Sequence, residues 1–262
     1  MSIDRSRRIT FEEVAELYAE IRPGYPEKLV EDVLTLSGIS ADGRILEIGC
    51  GPGNATIPFA KRGYRIVGIE LGERLAALAI KNCRAYPGVE IRNIAFEDWV
   101  LEEEAFDLAI SADAFHWIPP AVGYPKVARV LKDSRSAVFF WYVPIDPETD
   151  WSRAIEEVYR ERVPYVENPD KLFTLEWLIG TIKDNFEACR CFGEVTVKQY
   201  RWSETYTSEQ YLKLLRTFSG HRGLDEDTRD KLFAGIGEVI EQFGGRVRKP
   251  HLVALFHSRV KR

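Results

Sequence analysis

The feature that most constrains the fold is a short apolar strand that runs directly into a glycine-rich turn. Residues 44–48 read Arg-Ile-Leu-Glu-Ile, and residues 49–54 read Gly-Cys-Gly-Pro-Gly-Asn. Glycine has no Cβ atom, so glycines at three alternate positions allow the backbone to come very close to a ligand. The pattern therefore predicts a buried strand, a tight turn at a binding site and then a helix.

A second short strand supports a nucleotide-like ligand. Residues 65–69 read Arg-Ile-Val-Gly-Ile and end at Glu70, whose carboxylate only accepts hydrogen bonds and therefore suits the two hydroxyls of a ribose. The dinucleotide pattern G-x-G-x-x-G, counted from Gly49, needs Gly or Ala at position 54, where this chain has Asn54. We therefore expect a ribose-bearing ligand that need not carry a phosphate, and a nicotinamide-dependent oxidoreductase is the less favoured alternative.

Strand and helix patterns alternate between residues 44 and 143, which predicts a doubly wound α/β fold with a mostly parallel sheet. Two later strands, separated only by helices, predict an antiparallel edge strand and a total of seven strands. The predicted strands are 44–48, 65–69, 89–94, 106–111, 136–143, 194–202 and 252–257. Between the first five lie predicted helices at 54–62, 74–84 and 125–131.

The remaining segments predict helices that are inserted into a single domain spanning residues 1–262. They are 1–40, 146–190 and 207–245, and we expect them to form a lid over the site. In the first of them Phe11, Val14, Ala15, Leu17 and Tyr18 share one helical face.

Composition excludes several classes of function. The net charge of −5 gives no general attraction to nucleic acid or to an anionic membrane. No apolar h-region follows the basic amino terminus and no apolar run is long enough to span a bilayer. The four cysteines and four histidines show no spacing typical of a metal site. We expect a cytoplasmic protein with reduced thiols, no metal, no nucleic-acid partner and no membrane partner.

The glycine turn resembles the first motif of class I S-adenosylmethionine (SAM)-dependent methyltransferases. Other segments, which together cover nearly the whole chain, are similar to the small-molecule branch that includes trans-aconitate methyltransferase and the methyltransferase type 11 proteins. These segments are Tyr18 with Arg22-Pro23-Gly24-Tyr25-Pro26, Ala95-Phe96-Glu97-Asp98-Trp99, Phe106-Asp107-Leu108, Phe115-His116-Trp117-Ile118 and Thr217-Phe218-Ser219-Gly220-His221. The resemblance implies a Rossmann-like methyltransferase fold, SAM as cofactor, S-adenosylhomocysteine (SAH) as product and a small-molecule methyl acceptor. It implies nothing about the oligomeric state.

The resemblance also implies roles for individual residues. Glu47 would lie near the ammonium group of SAM, Glu70 would bind the ribose hydroxyls, and Ser111 would face the methionine end. Phe96 and Glu97 would flank the adenine. The complete set of implied cofactor-binding residues is Tyr18, Arg22, Glu47, Gly49, Cys50, Gly51, Gly53, Asn54, Glu70, Leu71, Phe96, Glu97, Ser111 and Trp117.

The acceptor side is less well defined by the sequence. His116 is a candidate general base or substrate donor, with a packed, hydrogen-bonded histidine as the alternative, and Trp141 and His221 are candidates for the acceptor pocket. Methyl transfer depends mainly on alignment and exclusion of water, so O-methylation or carboxyl methylation is favoured. Two alternatives remain: a protein that binds SAM or SAH without transfer, and RNA methylation, which the acidic charge and the absence of an Asn-Pro-Pro-Tyr segment disfavour.

Overall fold

The computed structural model describes residues 14–165 and 173–261, and its framework is one seven-stranded sheet. The strands are β1 (Arg44–Ile48), β2 (Arg65–Glu70), β3 (Val89–Asn93), β4 (Phe106–Ala112), β5 (Leu131–Val143), β6 (Thr196–Thr207) and β7 (Arg246–Arg259). Their order across the sheet is β3-β2-β1-β4-β5-β7-β6.

Helices connect the strands and cover both faces of the sheet. They are α1 (Ala15–Ile21), α2 (Glu27–Ser37), α3 (Thr56–Ala60), α4 (Glu73–Cys83), α5 (Pro120–Val130), α6 (Asp150–Arg162), α7 (Leu175–Cys189), α8 (Ser208–Arg216), α9 (Ser219–Arg222) and α10 (Glu226–Gln242), with a 3₁₀ turn at Phe115–Trp117. Helix α5 begins earlier than predicted because Pro120 lies in its first turn, where a missing N–H does no harm.

The predicted α/β fold is confirmed. Strands β1 to β5 are paired in parallel, whereas β7 is antiparallel to both β5 and β6. The antiparallel pairing predicted at this edge is therefore made by β7, which lies between β5 and the outermost strand β6. The order of the strands reverses between β1 and β4, and ligands of open α/β sheets bind beyond the carboxyl ends of the strands at such a reversal.

Alternate residues of the central strands supply two separate cores. On one face Ile45 of β1 and Leu108 of β4 pack with α2 and α3. On the other face Leu46 of β1 packs with residues of α5 and α7. Because both faces are covered, the central strands are apolar along almost their whole length, as the sequence predicted.

A third core holds the remaining helices together. Residues of α6, α8 and α10 pack with Tyr206 of β6 and Val247 of β7. The predicted element 146–190 is therefore divided: α6 belongs to this helical layer, whereas α7 packs against the sheet. In the predicted element 1–40, Phe11 lies outside the described residues, and α1 carries Ala15, Leu17 and Tyr18. The role of these helices as a lid stays a prediction.

Candidate functional site

A cleft of about 770 Å³ opens at the carboxyl ends of β1, β2 and β4. Its walls come from the glycine turn after β1, the end of β2, residues 94–97, residues 112–118 and α1. Eight of the residues predicted to bind the cofactor line it: Tyr18, Gly49, Gly51, Glu70, Leu71, Phe96, Glu97 and Trp117.

Two glycines of the turn are required for different reasons. Gly51 has φ +54°, and a Cβ atom there would meet no atom within 4 Å, so its Cα faces open space in the cleft. Gly49 has φ +69°, and a Cβ atom there would lie 2.4 Å from Cβ of Ala114. A side chain at position 49 would thus push apart the turn and the segment after β4, and a side chain at 51 would enter the cleft.

Glu70 links the glycine turn to the end of β2 by hydrogen bonds. Its Oε2 accepts a hydrogen bond from the amide of Gly51, and its Oε1 accepts one from the amide of Gly72, both at 2.8 Å. Gly72 directly precedes α4, so the same carboxylate also shapes the entry into that helix. A carboxylate has about four acceptor positions, so these two bonds leave Glu70 capacity to accept from a ligand hydroxyl.

Glu47 does not line the cleft, contrary to the role implied for it. The side chain is fully buried beneath the glycine turn, and neither carboxylate oxygen has a hydrogen-bond partner. Burial raises its pKa to about 8, an increase that the nearby Thr56 hydroxyl opposes and the charge of Glu70 reinforces. Any influence of Glu47 on a ligand therefore acts through the turn above it.

One wall of the cleft, formed by Phe96 and Glu97, is held by a lysine. Nζ of Lys126 on α5 donates to the carbonyl oxygens of Glu97 at 2.9 Å and Trp99 at 2.6 Å. The same ammonium lies 5.2 Å from the centroid of the Phe96 ring. Burial lowers the pKa of Lys126. Sequence reasoning had no signal for this residue, since a lone lysine on a helix is usually solvated.

Asp113, which sequence reasoning did not select, lies on the wall beside the glycine turn. Its backbone is left-handed, with φ +53°. Oδ2 accepts from the Tyr25 hydroxyl and Oδ1 accepts from the amide of Tyr142, both at 2.8 Å. Burial raises its pKa. The sequence feature that could have identified Asp113 is its position as an acid directly after the fourth strand.

Tyr18 lies on α1 at the cleft, and Arg22 directly follows that helix. The guanidinium of Arg22 lies 5.0 Å from the Tyr18 ring and 4.3 Å from the Phe218 ring. Nε of Arg22 donates to Oγ1 of Thr217 at 2.8 Å. Arg22 therefore supports Tyr18, which lines the cleft, while Arg22 itself does not line it.

His116 does not have the geometry of a general base. Nε1 of Trp141 donates to Nδ1 of His116 at 3.0 Å, and burial lowers the pKa of His116 to about 4. The ring is therefore neutral at pH 7 with its proton on Nε2, and its other nitrogen is already an acceptor. Neither His116 nor Trp141 lines the cleft, so the proposed base and acceptor-pocket roles are not supported by this placement.

Several other predicted site residues are directed away from the cleft. Ser111 donates its hydroxyl to the carbonyl of Ile48 at 2.7 Å and is fully buried. His221 is buried in the helical layer, where Nε2 contacts the Tyr159 hydroxyl at 2.6 Å. The cleft lining also omits Cys50, Gly53 and Asn54, and burial raises the pKa of the Cys50 thiol well above its usual value.

Within residues 14–165 and 173–261, no three His, Cys, Asp or Glu side chains come together as a possible metal site. The helices of the same part of the chain are all too short or too polar to cross a membrane.

Comparison with known sequences identifies the central part of the chain. Residues 45–134 match the family model of a methyltransferase domain. An uncharacterized methyltransferase of Mycobacterium tuberculosis is 28% identical over 155 residues, which is 59% of this chain and 60% of that relative. The chain thus matches less than two thirds of the relative's length.

Solved structures agree with this result over a longer part of the chain. A putative type II methyltransferase from Anaeromyxobacter dehalogenans has a TM-score of 0.65 at 20% identity, covering 91% of this chain and 97% of that one. Phosphoethanolamine N-methyltransferase 2 of Haemonchus contortus, solved with SAH, has a TM-score of 0.57 at 16% identity, covering 96% of this chain and 58% of that one.

Residues 45–134 therefore carry a methyltransferase domain, and the chain has the fold of the solved methyltransferases. The comparisons do not single out the trans-aconitate branch, so that finer resemblance stays a prediction.

Proposed function

We propose that the protein is a cytoplasmic, SAM-dependent methyltransferase that acts on an oxygen of a small-molecule acceptor. The observation that carries the proposal is the pairing of Gly51 with Glu70 at the cleft. A backbone position open to the cleft lies directly beside a carboxylate that can accept further hydrogen bonds. This combination suits a ribose that lies close to the main chain, without a phosphate.

The other walls fit the remaining parts of SAM. Phe96 offers an aromatic face for the adenine, and the glycine turn with Ala112 and Ala114 offers a largely apolar wall for the methionine part. When bound, SAM supplies an electrophilic methyl group on a sulfonium. The residues of this chain bind and orient the two reactants, and Tyr18 and Trp117 exclude water from the cleft. Proximity and orientation of this kind are worth about 7–11 kcal/mol.

Two measurements on the intact protein test the proposal. Titration calorimetry should detect binding of SAH and no binding of NAD, whereas the reverse would favour a nicotinamide-dependent oxidoreductase. Incubation with methyl-labelled SAM and a cell metabolite extract should then give a labelled small molecule, identified by mass. Binding of SAH without label in any acceptor would favour the non-catalytic binding protein, and a failure of both ligands to bind would reject the proposal.

A further inference from the structure

We propose that Asp113 is the general base of the transfer, which restricts the acceptor oxygen to a hydroxyl that loses a proton. The inference rests on the proposed function. It starts from position: Asp113 follows β4, lines the cleft and precedes Ala114, which abuts Gly49. Phe96 and Glu97 come from the loop after β3, at the far side of β1 and β2. Asp113 therefore lies on the side where the methionine part of SAM would end.

The carboxylate is held in one orientation by two donors from different elements. The Tyr25 hydroxyl comes from the segment before α2, and the Tyr142 amide comes from the end of β5. Each donor engages a different oxygen, so each oxygen keeps a second acceptor position. The amide of Asp113 also donates to the carbonyl of Phe140 at 2.9 Å. These bonds fix the side chain without exhausting its capacity to accept a proton.

The backbone of Asp113 is consistent with a functional position. A non-glycine residue with φ +53° has a left-handed conformation that costs about 1–2 kcal/mol, and residues of this kind cluster at active sites. The strain is maintained because three hydrogen bonds determine the position of the residue. An asparagine would adopt this backbone as readily as an aspartate, so the backbone alone does not require a carboxylate.

The groups around Asp113 adjust its affinity for a proton in opposite directions. Burial raises its pKa, whereas the Tyr142 amide, the Tyr25 hydroxyl and the charge of Arg22 lower it. The pKa of Tyr18, on α1, is raised chiefly by burial, and the negative charges of Asp113 and Glu70 raise it further. The net effect is an acid with a raised pKa, and a base is more effective when its pKa lies nearer the working pH.

Other candidate bases on the described part of the cleft are less suitable. Glu70 ends β2 and is assigned to the ribose in the proposed function, and Glu97 lies on the Phe96 side. His116 accepts from Trp141 and does not line the cleft. Asp113 is thus the acid that both lines the cleft and lies close to its methionine side.

In the proposed step, the proton of the acceptor hydroxyl moves to a carboxylate oxygen of Asp113. The electron pair of the acceptor atom forms the new bond to the methyl carbon while the carbon–sulfur bond breaks, and the electron pair of that bond stays on sulfur. Asp113 then releases the proton to water. A carboxylate acceptor has no proton to lose and would gain nothing from this base.

The central variant is Asp113→Asn. Asp133→Asn, at an exposed position near the start of β5, is the matched control. We expect Asp113→Asn to reduce label transfer from SAM to the metabolite extract by about 100-fold or more, the usual contribution of a general base. Its affinity for SAH, measured by calorimetry, should stay within about threefold of wild type. The control should leave both quantities unchanged.

Tyr25→Phe provides a readout that a merely structural role would not give. Losing the hydroxyl removes a donor that stabilises the carboxylate, so the pKa of Asp113 should rise. The acidic limb of the pH–rate profile should move to higher pH, and so should the titration of the Asp113 carboxyl carbon in the NMR spectrum of the SAH-bound protein.

Three results would overturn the assignment while leaving the proposed function intact. They are transfer by Asp113→Asn within about threefold of wild type, a loss of SAH affinity as large as the loss of transfer, and an unshifted acidic limb in Tyr25→Phe. If the wild-type protein neither binds SAH nor transfers label, the proposed function itself fails and the base assignment fails with it.

Discussion

The amide of Gly51 donates a 2.8 Å hydrogen bond to the carboxylate of Glu70, joining the turn after β1 to the end of β2. The second oxygen of Glu70 accepts from Gly72 at the same distance, so one side chain holds two backbone segments at the edge of the cleft. The acid at the second strand end therefore contributes to the shape of the glycine turn as well as offering acceptor atoms to a ligand.

Replacing Glu70 by alanine should weaken both binding and folding. Two backbone amides lose their acceptor, so the free energy of unfolding should fall by about 1–3 kcal/mol. Affinity for SAH should fall at least about tenfold, since the turn is released and an acceptor for the ribose is lost. Urea unfolding and calorimetry measure the two effects. Glu90→Ala, which removes an exposed acid of β3, is the control, and unchanged SAH affinity in Glu70→Ala would contradict this account of the cleft.

A methyl group on Gly51 should block the ligand with little additional effect on folding. Gly51 and Gly63 both have positive φ, +54° and +84°, and neither has an atom within 4 Å of the position of a Cβ. Each alanine variant should therefore lose about 1–2 kcal/mol of stability from its backbone conformation alone. Only Gly51→Ala should reduce SAH affinity, by at least about tenfold, because only Gly51 lines the cleft. Equal affinities in the two variants would show that the ligand does not approach Gly51.

The fold was largely predictable because the signals that define it are local. Buried apolar strands alternate with amphipathic helices, and the predicted strand 44–48 coincides with β1. The late strands β6 and β7 were predicted too short. Twelve residues of β6 pair with β7 from Thr196 to Thr207, and the polar residues of its second half give no alternating apolar signal from which this pairing could be predicted.

The site was predictable only where a residue type carries its own structural meaning. Gly51 and Glu70 were identified because a turn that approaches a ligand needs glycine and a strand-end acid suits a ribose. Asp113 and Lys126 act through partners that are distant in sequence, Tyr25 and the carbonyl of Glu97, so their roles appear only in the folded chain. The burial of His221 was not predictable either, because its contact with Tyr159 spans 62 residues, and its role at the acceptor pocket stays a prediction.

Lys126→Met should weaken the Phe96 side of the cleft. Methionine keeps much of the apolar length of lysine but donates no hydrogen bond, so the carbonyls of Glu97 and Trp99 lose their shared donor. We expect affinity for SAH to fall about three- to thirtyfold, corresponding to one or two lost hydrogen bonds that orient the loop. Lys126→Arg, which restores a donor, should recover part of the affinity, and Lys61→Met, at an exposed lysine directly after α3, is the control. Calorimetry with SAH measures all three, and wild-type affinity in Lys126→Met would show that this loop does not contact the ligand.

Glu47 should make the ligand-free protein less stable as the pH rises toward 8. Its folded pKa of about 8 lies above the unfolded value near 4.5, so between these values the folded state holds a proton that the unfolded state has released. The free energy of unfolding then falls with increasing pH, by at most ~1.4 kcal/mol per pH unit. The four histidines, with pKa values lowered to about 4, give the opposite slope, which is steepest below pH ~6.5 and fades by about pH 7.5.

The difference in stability between the wild-type protein and Glu47→Gln therefore isolates Glu47, because the histidines contribute equally to both. Glu47→Gln keeps the shape of the side chain and cannot ionise, so the free energy of unfolding of the wild type relative to this variant, measured with urea, should fall as the pH rises from ~6.5 to ~8. Because the two carboxylate oxygens have no hydrogen-bond partner, the amide should break no existing contact, and the two proteins should have similar stability near pH ~6.5. Parallel pH profiles for the two proteins would mean that Glu47 is ionised in the folded state, with a counter-charge or water beneath the glycine turn.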